Sequence, residues 1–547
     1  MSRKEISLIF RRFSSGSIDR SGPGFYINPC MNKKNTAVPL ATGIAAAPDG
    51  PGASHPNDDA VVLPFHRYTD FAGNWPVPGQ REVLIVPLGG LGRIGMNWTL
   101  YGHAGAWLLV DAGIAFPSEE MAKANPDVSA LIPDPAFLAP IRSRLAGLVL
   151  THAHEDHMGA VDRLWPDTLD CPIWATPYAA AMLARRLDEA EVRDRVDVRT
   201  YPVGGRFSVG PFAIESVRVT HSIPEPVMLA ITTQAGTVVH SGDWKFDPAP
   251  VIGETTDFAA LKRIGKKGVL ALICDSTNAH KEIPETSESH VQAAFAELFA
   301  TRKGQVAICC FSSNVARFAS AALAAKQAGR HVALAGRSLR NAEETARDLG
   351  LLAAIPEFLA EPSHLKGLDR GQIALVCTGA QGEEKATLAK LVRGDWRLPA
   401  FGPGDTVVLS ARVIPGNEAA VDAIVKKLRA RGIEVLQGTD SIGGHPLHVS
   451  GHPGAGELRS LYAMLKPRFA LPVHGTEMHL DAHARLARGA GVSAAVVAEE
   501  AEMVRVASDG IRVLGRVPAP IALLMNDEHG DRIPYAVANE KLVAGRA

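Results

Sequence analysis

Five apolar runs between residues 106 and 276 of the chain end in the same way. "AWLLVDAG", "GLVLTHAH", "ESVRVTHS", "TVVHSGD" and "VLALICDS" each read as a short buried strand that breaks off in Asp or His. Sites in open α/β sheets are built at the carboxyl ends of strands. A chain that repeats this ending is therefore expected to bring several sheet ends to one place. The densest case is "VLTHAHEDHMGAV", residues 149–161, where three histidines and two acids lie between His152 and His157.

The spacing H-x-H-x-D-H supplies His152, His154, Asp156 and His157. Neutral imidazoles with carboxylates are the ligands of a borderline metal such as zinc. His152 and His154 can turn toward one ion, and Asp156 and His157 toward a second. Four ligands do not complete two tetrahedral sites, and the other strand ends offer His221, Asp243 and His474. A carboxylate between two ions can bridge them, which is the place expected for Asp243. Two ions ~3.5–4 Å apart would lower the pKa of a water between them, so the chemistry expected is hydrolysis without a covalent intermediate. Asp111 in "VDAG" is expected to stand behind the ligands and orient the H-x-H region.

The rest of the chain sets the frame for this centre. Its 547 residues exceed one ordinary core. A hydrophobic share of 46% with 21% charged residues excludes a fibre or a disordered chain. No apolar run approaches the ~20 residues that span a bilayer, so no membrane partner is expected. The net charge of −1 means that any nucleic-acid groove must be basic locally. Six cysteines without C-x-x-C spacing read as reduced thiols of a cytoplasmic protein. Residues 1–80 contain "ATGIAAAPDGPGASHPNDDA", which has no periodicity and is expected to be disordered. The start carries no secretory apolar core, and translation beginning at Met31 or later is an open reading. Between residues 290 and 450 helix-length and strand-length patterns alternate, as in "HVQAAFAELFATRKG" followed by "QVAICCFSSN". The strand-then-histidine theme then returns in "LHVSGHPG" and "FALPVHGTEMH". One domain inserted in another explains that order: residues 81–292 and 448–547 as one domain, the latter ending in a short tail, with 293–447 inserted.

These residues are the signature of the metallo-β-lactamase fold, an αβ/βα sandwich with a dinuclear site at one edge. The 231-residue gap between Asp243 and His474 holds a whole domain. "ICDSTNA" (Asp275), "HVSGH" (448–452) and "PVHG" (His474) match the three extra motifs of the β-CASP nucleases. Within that group the chain resembles the ribonuclease J family over about residues 84–480, through "PLGGLGRIGMN", "THAHEDHMGA", "DSTNA", "FSSNVARF", "GRSL", "TGAQGE" and "VIPGNE". The resemblance implies a ribonuclease of RNA processing and decay with two Zn²⁺ per subunit, Mn²⁺ or Mg²⁺ being possible in use. It implies 5′→3′ exonuclease and endonuclease activity on single-stranded RNA with a 5′-monophosphate. Carried over by position, His152, His154 and His221 hold one zinc, and Asp156, His157 and His474 the other, with Asp243 bridging and catalytic beside Asp275 and His452. His448, Val449, Ser450, Gly451 and His452 are expected to contact the substrate phosphate, with His452 assisting the leaving oxygen.

Two departures lie near the site: Glu225-Pro226 in "HSIPEP", where the family usually reads Asp-Ser, and "HGTEMH", which lacks the usual Glu straight after "PVHG". The chain ends 73 residues past His474, so the family's C-terminal assembly domain is expected to be missing and homo-oligomerisation doubtful. On the inserted domain, Ser312, Ser313 and Asn314 of "FSSN" and Arg337, Ser338 and Arg340 of "GRSLRN" could line an RNA channel. "KKLRARG" reads as a solvated helix end and "GGLG" as a tight strand connection. Two other readings stand beside this one: another metallo-β-lactamase-fold hydrolase of small esters or lactams, and an RNA-binding scaffold without catalysis.

Overall fold

The computed structural model describes residues 69–71, 74–395, 398–414, 416–526 and 532–537. Two large sheets face each other. The nine-stranded sheet runs, edge to edge, Thr69–Asp70, Gly510–Arg516, Glu502–Ala507, Glu82–Pro87, Thr99–His103, Ala106–Val110, Leu145–Val149, Ile173–Ala175 and Val198–Thr200. The seven-stranded sheet runs Ala494–Ala495, Phe469–Val473, Ala271–Asp275, Gly236–His240, Val227–Thr233, Phe212–Arg218 and Arg206–Val209. Val83, Ile85 and Tyr101 of the first interleave with Leu229, Ile231 and Ile273 of the second in one apolar layer. Helices cover both outer faces, with Pro177–Glu189 on one side and Phe258–Lys267 and Ala455–Leu465 on the other. This is the αβ/βα sandwich.

Strands Ala271–Asp275 and Phe469–Val473 pair in parallel, with Asp275 opposite Val473. The chain between them leaves the sandwich and returns to it with helix Ala455–Leu465. It includes a five-stranded, all-parallel sheet ordered His331–Ala335, Ile373–Cys377, Val306–Cys309, Thr406–Leu409, Glu434–Gln437. The motifs "FSSN", "GRSL", "TGAQGE" and "ARVIPGNE" each follow one of these strands, so all four sit at the same carboxyl edge. Among the described residues no helix is long and apolar enough to cross a membrane.

One expectation about the chain's start needs correction. Residues 1–68 lie outside the described residues, but disorder does not extend to residue 80. Thr69–Asp70 pairs in parallel with Gly510–Arg516, and Trp75 is only 7% exposed. Its indole stacks on Phe137 at 6.1 Å and meets Trp107 edge-on at 5.2 Å. One aromatic side chain with a waiting socket outweighs the composition around it. Strands after the inserted sheet add to the sandwich. Glu502–Ala507 pairs with Glu82–Pro87, burying Val504 and Val506 between the sheets, and Ile521–Asn526 pairs with Val128–Pro133.

Trp75→Ala is expected to destabilise the sandwich by ~3 kcal/mol, as for other buried tryptophans, seen as a lower urea midpoint. An unchanged midpoint would show that the segment does not dock.

Candidate metal centre

The acidic turn after Ala106–Val110 and the histidine turn after Leu145–Val149 are built against each other. Asp111 takes a left-handed conformation, φ 61°, which Asp tolerates better than most residues. Its carboxylate accepts from Thr151 N at 2.7 Å, from Thr151 Oγ1 at 2.8 Å and from His157 Nδ1 at 2.7 Å. Gly113 has no room for a side chain, since a Cβ there would lie 1.7 Å from the Asp156 carbonyl oxygen. Asp111 thus stands behind the candidate ligands, holding His157 and Thr151.

The seven candidate ligands converge in two groups that share Asp243. In the first, His154 Nδ1 lies 3.1 Å from His152 Nε2 and 3.1 Å from His221 Nε2. Asp243 Oδ2 lies 3.9 Å from the first of these rings and 3.8 Å from the second. In the second group, Asp156 Oδ2 lies 3.6 Å from His157 Nε2 and 3.5 Å from His474 Nε2, and Asp243 Oδ2 is 3.3 Å from His157 Nε2. Tetrahedral zinc with ligands at ~2.0–2.1 Å separates its donor atoms by ~3.3 Å, and the observed spacings bracket that value. His474 Nε2 is buried and has no hydrogen-bond partner among the described residues, as a lone pair reserved for a cation requires. The residues fit a pair of metal ions.

The outward nitrogens of four of the five histidines are held as well, which fixes those rings and their tautomers. His157 Nδ1 donates to Asp111, His221 Nδ1 to the Gly451 carbonyl at 2.6 Å, and His474 Nδ1 to Asp243 Oδ1 at 2.7 Å. His152 Nδ1 donates to Thr151 Oγ1 at 2.9 Å, whose own proton goes to Asp111. Burial, reinforced by neighbouring imidazoles, pushes His152 and His221 well below the usual histidine range. Burial likewise takes His154 to about 4, against the pull of Asp156 and Asp243. Burial opposes charge on Asp156 and Asp243, yet the imidazoles around them win and both pKa values fall. Burial is overcome in the same way at His157 and His474, where the carboxylates, Asp243 foremost, raise the pKa. Ionised carboxylates beside His152, His154 and His221 with lowered pKa are the state that metal binding needs, and the raised pKa of His157 and His474 reflects the same cluster of carboxylates.

His452 also faces Asp243. Its Nδ1 is 2.8 Å from Asp275 Oδ2 and 3.8 Å from Asp243 Oδ2. Burial disfavours its charged form, but Asp275 and Asp243 raise its pKa overall. Asp275 accepts from Thr277 N and Oγ1 through its other oxygen. It reaches the centre mainly through His452, although Asp243, Asp275, His452 and His474 are themselves close enough to form a third ligand set.

The rest of the 448–452 segment divides. Ser450 Oγ accepts from His452 N at 3.1 Å and from Asn278 Nδ2 at 3.0 Å. Gly451 packs on His221, where a Cβ would come within 2.8 Å of the ring. Val449, expected to touch phosphate, buries its side chain in the apolar core, because the segment alternates inward and outward. His448 turns to Arg317, 3.2 Å away, rather than to Asp243.

On the inserted domain Arg337 is exposed at the start of helix Arg337–Asp348, and Ser312 and Ser313 are half-buried before helix Val315–Gln327. Arg340 is held by Glu361 and the Ala360 carbonyl, so it is not the free cation expected. Asn314 caps helix Val315–Gln327. Arg431 of "KKLRARG" donates to the Leu391 and Val392 carbonyls rather than to solvent.

The departure at Glu225 has its own role: the carboxylate accepts from Tyr178 N at 2.7 Å, at the start of helix Pro177–Glu189. The "GGLG" loop holds the other side of the centre, its Gly90 carbonyl accepting from Gly475 N at 2.9 Å. Sequence reading passed over Asn97, whose Nδ2 lies 3.2 Å from Asp156 Oδ2 and 3.0 Å from His157 Nε2, and also Asn278. Both stand inside quoted motifs, "GRIGMN" and "DSTNA", which was the available signal.

Fold and centre together define a metallo-hydrolase of the metallo-β-lactamase fold carrying a β-CASP insertion. Residues 106–262 match the β-lactamase superfamily domain, 303–428 the ribonuclease J β-CASP domain, and 445–497 the Zn-dependent metallo-hydrolase RNA specificity domain. The chain is similar to ribonuclease J of Sinorhizobium meliloti, with 43% identity over 80% of this chain and 77% of the relative. It is 36% identical to ribonuclease J of Mycobacterium tuberculosis over 81% of this chain and 78% of that one. A crystal structure of an Enterococcus faecalis protein of unknown function shares the fold, with TM-score 0.52 and 16% identity over 78% of this chain and all of that one. The chain belongs to the ribonuclease J family.

Asp111→Asn keeps the shape behind His157 but removes the charge. Metal affinity is expected to fall ~10–100-fold, as for other partners of ligating histidines, measured by competition with a chromogenic chelator. Unchanged affinity would show that Asp111 does not orient the ligands.

Proposed function

We propose that the chain is a zinc-dependent ribonuclease that degrades single-stranded RNA 5′→3′ from a 5′-monophosphate and also cuts internally. The observation that carries this reading is Asp243, one carboxylate shared by two ligand groups with His452 turned toward it. His152, His154 and His221 would hold one ion, and Asp156, His157 and His474 the other. The preponderance of imidazole favours zinc over magnesium, with manganese as a possible substitute. When bound, such a pair supplies a nucleophile from water near neutral pH and charge stabilisation for the phosphoryl group.

The chain's own residues supply the rest. Asp275 engages His452 Nδ1, leaving Nε2 as the nitrogen that can hand a proton to the leaving oxygen. Asn278 holds Ser450, and Ser450 the His452 backbone, so the phosphate-facing turn is rigid before substrate arrives. Ser450, Gly451 and His452 carry the substrate contact, with Ser312, Ser313 and Arg337 further out. The division into a hydrolase domain, 81–292 with 448–547, and an inserted 293–447 domain goes with this reading.

The test follows 5′-labelled and 3′-labelled RNA side by side, each with a 5′-monophosphate or a 5′-triphosphate. Early release of labelled mononucleotide from the 5′ end is expected, faster from the monophosphate, with internal cuts indifferent to that end. Shortening from the 3′ end, or no RNA turnover, would contradict the proposal.

A further inference from the structure

Strand Ala271–Asp275 of the sandwich runs into "STNAHK", and strand Thr406–Leu409 of the inserted sheet runs into "SAR". The two loops meet at one side chain. Asn278 Oδ1 accepts from the Arg412 guanidinium at 3.3 Å, while its Nδ2 donates to Ser450 Oγ at 3.0 Å. Arg412 is otherwise exposed, and Gln381 holds its carbonyl at 2.9 Å.

The surroundings are cationic. The His280 and His479 rings stack with centroids 4.7 Å apart. Burial first, then Lys281 and Arg412, lower the pKa of His280; burial and Arg412 lower that of Lys281. The nearest acid in sequence, Glu282, is neutralised by Arg459 at 2.7 Å. Among the described residues neither Lys281 nor Arg412 has a carboxylate within ion-pair distance. The frame is rigid, since Lys281 N donates to the Asn278 carbonyl and Ala455 N to the Lys281 carbonyl. Unpaired cations kept together beside a hydrolytic centre repel one another until an anion joins them.

We propose that Arg412 and Lys281, with the His280–His479 pair, hold a backbone phosphate of the RNA strand next to the nucleotide under attack. This rests on the ribonuclease reading and gives the strand a direction away from Ser450. Arg337 follows a different strand of the same edge. Strands Val306–Cys309 and Ile373–Cys377 separate the strands that lead to the two arginines, a span of three strand steps, about 14 Å.

The experiment measures kcat and KM of the full chain on a 5′-monophosphorylated single-stranded RNA over a series of KCl concentrations. For the double variant Arg412→Ala/Lys281→Ala, kcat/KM at low salt is expected to fall about tenfold, mainly through KM. The slope of log(kcat/KM) against log[salt] should become shallower by ~1.4, two contacts at ~0.7 each. Arg412→Lys alone should keep most of the slope, because a point charge suffices for a phosphate. A salt slope equal to wild type overturns the proposal. So does a loss confined to kcat, which would make Arg412 only a brace for Asn278 and Ser450. A wild-type protein that turns over no RNA fails the ribonuclease reading itself, and that result is visible before any variant is compared.

Discussion

A carboxylate almost wholly removed from water, with five imidazole nitrogens within 3.9 Å, cannot be an accident of packing. Asp243 is 3% exposed, and His152, His157, His221, His452 and His474 surround it. An isolated buried charge of this kind costs many kcal/mol unless partners compensate it. In this chain the partners come from four segments: the turns after Leu145–Val149, Phe212–Arg218 and Phe469–Val473, and the 448–452 loop. Both sheets must therefore present their carboxyl edges to one point, and the sandwich is the arrangement that lets them.

The inserted domain is fastened to that point through buried polar bonds. Arg317, 0% exposed, forms a bidentate pair with Glu288 and donates to Ser410. The same guanidinium reaches His448, and Ser410 donates to the Leu447 carbonyl. The segment that carries Ser450 and His452 is thus held from the inserted sheet on one side and by Asn278 on the other. Breaking a buried pair leaves the remaining charge uncompensated, so the orientation of the 448–452 turn and the seating of the inserted domain are one problem.

The candidate ligands that the fold brings together are legible in the sequence because their chemistry is rare and local. Three histidines and two acids behind one apolar strand have few other uses, and each further ligand repeats the strand-end theme. The residues that were misjudged are those whose role is decided by a distant partner. Val449 is apolar in a polar motif and simply joins the core. His448 belongs to Arg317, 131 residues away in sequence, and Arg340 to Glu361. Trp75 sits in a stretch whose composition resists ordering, but Trp107 and Phe137 provide its socket. Asn97 and Asn278 escaped notice because an asparagine in a loop is common, and only the fold shows what its amide touches.

The central claim is that Asp243 joins two ions, and anomalous diffraction at the zinc edge from crystals of the metal-loaded protein tests it directly. The account predicts two peaks about 3.5–4 Å apart. One should be bounded by His152, His154 and His221, the other by Asp156, His157 and His474, with Asp243 touching both. A single peak, or a pair not shared by Asp243, would contradict it.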